Sequence, residues 1–176
     1  MSNLVTVVIH SYNRYEYLSN AIKRVLNQTM DDYEIILIND ESTDERYYKN
    51  NFGKKVKQID IRRNKDPRWT GSRQALINIG IENANGKYIA LLDDDDLWLE
   101  KKLELQIGEM ENNYYKFSST EGYFGLGKYS DKEQYPLYNT EHFAKVLKKK
   151  YRYTKYLKRG NLPKVWTEDF LKIHNC

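Results

Sequence analysis

The chain has 176 residues, of which 40% are hydrophobic and 31% are charged, so it has room for one globular domain and not for two large ones. Its single cysteine excludes an internal disulfide, and it has no apolar run of the ~20 residues that a membrane-spanning helix needs. We therefore expect a cytoplasmic protein without a secretion signal.

The formal charge of +4 is concentrated in residues 145–159, which include eight lysines and arginines and no acid. The rest of the chain therefore carries a formal charge of −4. Tyrosines among these cations leave two partner classes open, a single-stranded nucleic acid and an anionic membrane surface. A solvated lysine-rich helix is the simpler interpretation. We expect no specific nucleic-acid partner and keep a peripheral membrane contact as a hypothesis.

Short apolar runs alternate with amphipathic stretches over the first 110 residues. The run at residues 4–9 is almost continuously apolar, which favours a strand covered on both faces, as in a parallel sheet. Further strands are predicted at residues 35–38, 56–61 and 88–92, and helices at residues 18–27, 45–52 and 71–84 and along Leu99, Leu103, Ile107 and Met110. This alternation predicts an α/β fold with a mostly parallel sheet flanked by helices.

The pattern is less regular after residue 112, where Tyr, Lys and Gly are mixed. It predicts a strand at residues 115–118, a glycine-punctuated stretch at 122–127 and a helix at 140–150. A turn is expected at 162–164, and Thr167 is a candidate helix N-cap.

Four consecutive aspartates, Asp93 to Asp96, follow the fourth predicted strand. Their mutual repulsion must be offset by a cation, by backbone donors or by open solvent. Hard oxygen ligands suit Mg²⁺ or Mn²⁺, and an ion held by one or two carboxylates keeps coordination sites for a diphosphate. The alternative is a solvated acidic loop that precedes the next helix.

Two other polar residues follow the ends of predicted strands, where α/β sheets bind ligands. Asp40 can accept a hydrogen bond from a base N–H or a ribose hydroxyl, or it can form an Asx-turn within residues 39–42. Tyr12 lies in the first strand-to-helix corner, where its ring can stack on a base.

Three segments of the chain carry a family resemblance. They are residues 5–29 (VTVVIHSYNRYEYLSNAIKRVLNQT), 33–45 (YEIILINDESTDE) and 75–98 (ALINIGIENANGKYIALLDDDDLW). In order and spacing they resemble the signature blocks of the family-2 glycosyltransferases of GT-A fold. The resemblance implies a Rossmann-like GT-A domain over residues 1–176, with a donor-binding half at 1–98 and an incomplete acceptor-side half at 99–176.

The resemblance also implies an activity and a set of site residues. The activity is metal-dependent transfer, with inversion, of a sugar from a nucleotide diphosphate donor, expected to be a UDP-sugar. The acceptor is a hydroxyl of a glycan, a lipid-linked molecule or a protein. The implied nucleotide-binding residues are His10, Tyr12, Arg14, Asp40, Arg73 and Asp94, with Arg68 as a weaker substitute for Arg73. The implied ligands of Mn²⁺ or Mg²⁺ are Asp95, the chief ligand, and Asp93 and Asp96.

The chain departs from the family pattern in two places. Asn39 and Glu41 stand where the family often has Asp and Gly, so the turn after the second strand is expected to differ in shape. The general base of the family follows well downstream, and here only Glu168 and Asp169 are candidates, although both also fit the start of a helix. We therefore expect a fragment of a longer enzyme. The alternative is a non-catalytic nucleotide-binding domain that lacks its base.

Overall fold

The computed structural model of the chain describes residues 4–63, 65–120, 122–123, 130 and 132–135. The chain divides into two compact units, Met1–Ile107 and Gly108–Cys176. The strands described below all lie in the first unit. No helix of the described residues is long and apolar enough to cross a lipid bilayer.

Strands and helices alternate along the described chain, as the apolar pattern predicted. They are β1 (Val5–Ser11), α1 (Tyr15–Leu26), β2 (Tyr33–Asn39), α2 (Arg46–Lys49), β3 (Val56–Asp60), α3 (Arg73–Glu82), β4 (Tyr88–Asp93) and α4 (Lys102–Asn113). Helix α3 begins after Ser72, whose Oγ accepts a hydrogen bond from the backbone N–H of Ala75.

The four strands form one parallel sheet in the order β3-β2-β1-β4. Ser11 at the end of β1 is in register with Asn39 at the end of β2, and His10 is in register with Asp93 at the end of β4. The residues that follow these three strands therefore meet at one edge of the sheet. The predicted α/β fold with a parallel sheet is confirmed.

The hydrophobic core lies around the two central strands. Every residue of β1 except His10, and every residue of β2 except Glu34, is buried, which is the burial expected for strands covered on both faces. Helix α3 packs against β1 and β2. One buried cluster joins α3 to β2 and to the residue after β3, and it consists of Ile36, Ile38, Ile61, Leu76 and Ile79.

Two glycines allow backbone segments to approach β1 closely. A Cβ atom on Gly80 of α3 would clash with the side chain of Val8, and one on Gly86 would clash with the backbone of Thr6. The backbone N–H of Gly86 also donates a hydrogen bond to Oγ1 of Thr6, at 2.8 Å. The loop before β4 thus contacts the start of β1 at Gly86.

Three local predictions are wrong. Helix α2 covers only Arg46–Lys49 and not residues 45–52, and Leu99 precedes α4, with 61% of its surface exposed. Residues 115–118 form no strand, because Tyr114 adopts the left-handed conformation (φ 57°) and the N–H of Tyr115 bonds back to the carbonyl of Met110. This geometry ends a helix and leaves no extended segment directly after it.

The start of α4 depends on a buried side chain that the sequence pattern did not reveal. Gln28 donates to the carbonyl of Leu99 (2.7 Å) and accepts from the backbone N–H of Leu103 (2.9 Å). Its amide oxygen thus satisfies an N–H that the first turn of the helix leaves free, and its amide nitrogen holds the segment that precedes the helix.

Several predictions fall on residues outside the described part of the chain. They concern the basic segment 145–159, the helix at 140–150, the turn at 162–164, the N-cap Thr167 and the candidate bases Glu168 and Asp169; of the stretch 122–127, only residues 122 and 123 are described.

Candidate functional site

A cleft of about 490 Å³ lies at the carboxyl edge of the sheet. It is bounded by the ends of β1, β2 and β4 and by the start of α3. The lining residues are His10, Ser11, Tyr12, Arg14, Asp40, Arg63, Trp69, Gly71, Ser72, Arg73, Leu76 and Asp94. The first unit of the chain supplies all of them.

All six predicted nucleotide-binding residues line this cleft. The structure therefore brings together positions that lie as far apart in sequence as His10 and Asp94. Arg68, the weaker substitute for Arg73, is not among the lining residues; its guanidinium pairs with Asp66, at 2.7 Å. The predicted metal ligands Asp93, Asp95 and Asp96 are also not part of the lining; Asp93 is the last residue of β4, and Asp95 and Asp96 lie in the loop that follows it.

The acidic loop is held to the first corner of the chain by Arg14. Nη1 of Arg14 lies 3.0 Å from Oδ1 of Asp94, and Nη2 lies 2.8 Å from Oδ2 of Asp95. Arg73 forms a further ion pair with Asp93. Arginine side chains therefore pair with three of the four aspartates and offset part of their mutual repulsion, for which a bound cation, backbone donors or open solvent were the expected sources of compensation.

A buried pair of hydroxyl groups, those of Ser11 and Tyr47, forms hydrogen bonds with Arg14 and Asp94. Oγ of Ser11 lies 2.5 Å from the hydroxyl of Tyr47 and donates to Oδ2 of Asp94, at 2.7 Å. The Tyr47 hydroxyl in turn accepts from the backbone N–H of Arg14, at 3.0 Å. Both Ser11 and Tyr47 are almost fully buried. Neither residue of this pair was predicted from the sequence, although a serine at the end of a buried strand is a usable signal.

Burial and charge shift the pKa values of three groups at the site. Burial raises the pKa of Asp94, although hydrogen bonding by Ser11 and the charge of Arg14 act in the opposite direction. Loss of hydration and then the charges of Asp93 and Asp95 raise the pKa of Asp96. Burial, followed by the positive charge of Arg73, lowers the pKa of His10, so its imidazole is neutral at pH 7.

The carboxylates fit a divalent cation in one binding mode only, in which the protein supplies one or two of the ligands. Among the described residues, no three acids, histidines or cysteines are grouped so that they could hold an ion by themselves. Asp93 and Asp95 do expose about two fifths of their side chains, at 37% and 43%. Such a donor set suits Mg²⁺ or Mn²⁺ bound by one or two carboxylates together with the oxygens of a diphosphate and water.

Two side chains that were not predicted from the sequence donate hydrogen bonds to Asp40. Arg63 donates from Nε to Oδ1 (3.1 Å) and from Nη2 to Oδ2 (2.7 Å), and Nε1 of Trp69 donates to Oδ1 at 2.8 Å. The guanidinium carbon of Arg63 also lies 3.9 Å from the ring centre of Tyr12. Arg62 and Arg63 are equivalent in sequence, so only the folded loop shows which one reaches the cleft.

The turn after β2 is made by Asn39 and not by Asp40. Oδ1 of Asn39 accepts from the backbone N–H of Ser42, three residues further on (3.1 Å), whereas the carboxylate of Asp40, for which an Asx-turn was considered, accepts from Arg63. Glu41 has φ 55°, the left-handed region in which glycine is most at ease. The turn thus keeps a glycine-type backbone although it contains no glycine.

Asn13 fastens the first corner to this turn. Its φ is 51°, and its Oδ1 accepts from the backbone N–H of Thr43 (2.7 Å), while its own N–H donates to Oγ of Ser42 (3.0 Å). Asparagine tolerates the left-handed conformation better than most residues with a side chain. This contact keeps Tyr12 and Asp40 on adjacent corners of one cleft.

Comparison with known proteins identifies the family of the chain and agrees with its fold. The sequence model of the family described as "Glycosyl transferase family 2" matches residues 6–165. The chain belongs to this family. The resemblance noted in the three segments is thereby confirmed.

Named relatives of this family-2 chain include bacterial enzymes of much greater length. It is 43% identical over 116 residues to an uncharacterized glycosyltransferase of Rickettsia bellii, an alignment that covers 66% of this chain and 16% of the relative. It is 33% identical over 116 residues to the Escherichia coli UDP-Glc:alpha-D-GlcNAc-diphosphoundecaprenol beta-1,3-glucosyltransferase WfgD, covering 65% of this chain and 44% of the relative. The chain spans less than half the length of either protein.

A solved structure shows the same fold. Residues 1–349 of TarS from Staphylococcus aureus superpose with a TM-score of 0.53 at 17% identity, over 73% of this chain and 40% of that one. At this identity the likeness concerns the fold alone. It agrees with the predicted GT-A type of α/β domain.

Proposed function

We propose that the cleft binds a nucleoside diphosphate sugar, with uridine as the nucleoside, and that the complete protein transfers the sugar to an acceptor hydroxyl with inversion. The observation that carries this proposal is the convergence of all six expected nucleotide-binding residues on one cleft of about 490 Å³. A cavity of this size is within the usual range for small-molecule sites.

The side chains of the cleft divide into a part suited to a base and a part suited to a diphosphate. Tyr12, with 43% of its surface exposed, offers a ring for stacking, and Asp40 offers a carboxylate for the N–H of a uracil edge. Arg14 and Arg73 supply positive charge for the phosphates. His10 is neutral and can donate or accept one hydrogen bond without adding charge.

The metal would be held by Asp95 together with Asp93 or Asp96. When bound, Mn²⁺ or Mg²⁺ would neutralise the negative charge that grows on the departing diphosphate. Arg14 is paired with Asp94 of the loop after β4 and Arg73 with Asp93 at the end of that strand, so the two arginines hold these carboxylates in place in the absence of ligand. The same guanidiniums can then pair with phosphate oxygens at the edge of the cleft.

The relatives support a UDP-sugar and a glycan or lipid-linked acceptor. The name of WfgD states that it uses UDP-Glc and a diphosphoundecaprenol-linked sugar, and that of a second Escherichia coli relative, WfaP, states the same. TarS has been crystallised in complex with UDP and with UDP-GlcNAc. We therefore propose a UDP-sugar as the donor, without choosing the sugar.

A second candidate function is donor binding without transfer. Among the described residues, the carboxylates that line the cleft are those of Asp40 and Asp94, and both hold an arginine. Neither is therefore free to accept a proton from an acceptor hydroxyl. Glu168 and Asp169 remain the candidate bases. Binding of UDP-glucose with neither transfer nor hydrolysis would favour this second function for the chain by itself.

Calorimetric titration of UDP with and without MnCl₂ tests the proposed function. Wild-type protein is expected to bind UDP, and Mn²⁺ is expected to tighten that binding. Asp95→Asn should reduce the increase in UDP affinity that Mn²⁺ causes by about tenfold or more. Asp31→Asn is the matched control, because Asp31 precedes the amino end of β2 and its side chain is 96% exposed. UDP affinity that ignores both the metal and Asp95→Asn would refute the metal assignment, and absence of UDP binding would refute the whole proposal.

A further inference from the structure

Arg63 contacts both residues of the base subsite, which is the part of the cleft formed by Tyr12 and Asp40. Its planar guanidinium lies over the ring of Tyr12, 3.9 Å from the ring centre, and its Nε and Nη2 donate to the two carboxylate oxygens of Asp40. A uracil that stacks on Tyr12 and donates its N–H to Asp40 would compete with Arg63 for the ring and for one of these oxygens.

We propose that Arg63 occupies the base subsite of the ligand-free protein and that a nucleotide binds by displacing it. This inference rests on the proposed function, because it concerns how the same cleft admits its ligand. Arg63 is then a built-in competitor for the base. The apparent affinity for the nucleotide is then the intrinsic affinity multiplied by the fraction of molecules in which Arg63 has left the subsite.

The surroundings of Arg63 allow it to leave without stranding Asp40. Trp69 packs against the buried cluster around Ile38 and donates from Nε1 to Oδ1 of Asp40. Once Arg63 departs, Oδ1 keeps this partner and Oδ2 becomes free to accept the N–H of a base. The Arg63 side chain is 31% exposed, so its charged end has a path to solvent.

The sign of one mutational effect separates this role from ordinary electrostatics. Removing a positive charge from a cleft normally weakens the binding of an anion. If Arg63 competes with the base, Arg63→Met should instead tighten UDP binding. It should not tighten binding of inorganic pyrophosphate, which carries no base and does not need the Tyr12 face.

The experiment titrates UDP and pyrophosphate into wild type, Arg63→Met and Arg63→Gln, with thermal unfolding to verify that each variant is folded. Arg46→Met is the matched control. Arg46 also forks onto an aspartate, Asp44, at 3.1 and 2.8 Å and lies 4.4 Å from a tyrosine ring, that of Tyr15, but it is not part of the cleft. The variant Arg46→Met therefore removes the same charge and the same kinds of contact at a place outside the cleft.

We expect both Arg63 variants to bind UDP about tenfold more tightly than wild type, with pyrophosphate unchanged or weaker and Arg46→Met unchanged. If wild type binds UDP and the Arg63 variants bind it equally or more weakly, Arg63 is not a competitor, and the proposed donor site stands. If pyrophosphate gains as much as UDP, competition for the base subsite is refuted. If UDP binds neither wild type nor the variants, the inference and the proposed function fail together.

Discussion

The guanidinium of Arg14 lies 3.0 Å from Oδ1 of Asp94 and so connects the corner after β1 with the loop after β4, across 80 residues of sequence. Asp94 is buried, with 8% of its side chain exposed, whereas Arg14 keeps 45% of its side chain exposed. The pair therefore lies at the boundary between the core and the cleft, where it stabilises the loop and remains accessible to a ligand.

Arg14→Met should lower the free energy of unfolding by about 1 kcal/mol, because the buried carboxylate of Asp94 loses its ion pair and keeps the hydrogen bond from Ser11. Urea unfolding at pH 7 measures the change. Arg46→Met, which removes an exposed guanidinium from its acidic partners, should have a much smaller effect. Equal losses in the two variants would show that the Arg14 contact is no stronger than a surface ion pair.

Asp94→Asn should be more stable than wild type at neutral pH in the absence of ligand. Burial raises the pKa of Asp94 in the folded protein, so the unfolded chain loses its proton at lower pH than the folded one. The contribution of this group to stability is therefore present in acid and is lost as the pH rises through the folded pKa. Asparagine has no such loss.

Urea unfolding of Asp94→Asn and wild type at several pH values between 4 and 7 tests this sign. The advantage of the variant should grow as the pH rises. A difference that shrinks towards neutral pH would mean that Arg14 and Ser11 more than compensate for burial. The same variant should bind UDP more weakly, since Asp94 lines the cleft.

Lys102 should make stability depend on pH in the alkaline range. Burial lowers its pKa to about 8 from 10.5, and its Nζ lies 4.4 Å from the ring centre of the buried Trp98. Between these two values the unfolded chain holds a proton that the folded protein has released. Wild-type stability should therefore rise from pH 8 towards pH 10.5 through this group.

Lys102→Met should remove that rise and stabilise the protein at pH 7 by roughly 1 to 3 kcal/mol. Lys101→Met is the control, since Lys101 is an exposed neighbour. Unfolding in guanidinium chloride at pH 7 and pH 9.5 measures both the stabilisation at pH 7 and the rise in stability with pH. Ionisation of tyrosines affects wild type and both lysine variants alike. Parallel pH profiles for wild type and Lys102→Met would contradict the assignment.

Glu41→Gly should stabilise the protein by about 0.5 to 1 kcal/mol. Glu41 has φ 55°, a conformation that costs a residue with a Cβ atom more than it costs glycine. The weak contact from the backbone of Arg63 to Oε2 of Glu41, at 3.2 Å and exposed, is the only loss the described residues show. Thermal unfolding measures the effect. Glu16→Gly, within α1, should destabilise by about 1 kcal/mol, and a loss at both positions would show that the turn is not strained.

The elements that the sequence predicted well are those with strong, short-range patterns. β1 and β2 are almost uniformly apolar and become the buried centre of the sheet. Leu99 fits the four-residue spacing of α4 and yet lies outside it, because Gln28 bonds to the backbone on both sides of the helix start. Spacing alone does not reveal where a helix begins when its first turn is capped from a distant segment.

The candidate site shows the same division. Residues next to strand ends, such as Tyr12, Asp40 and Asp94, could be selected because parallel strands bring their carboxyl ends to one edge. Arg63 and Tyr47 could not, since one lies in a loop with several equivalent cations and the other in a short polar helix. Their roles depend on contacts across 23 and 36 residues, respectively, with Asp40 and Ser11.

The amino-acid sequence by itself determined the alternation of strands and helices, the acidic loop and the family, because apolar periodicity and local motifs act over a few residues. The tertiary structure alone decided which charges neutralise one another. Arg14, Arg63 and Arg73 each had several acids within reach along the chain, and their final partners follow from the order and register of the parallel strands. Packing of α3 and the loop after β3 against the sheet then brought a cation onto the ring of Tyr12.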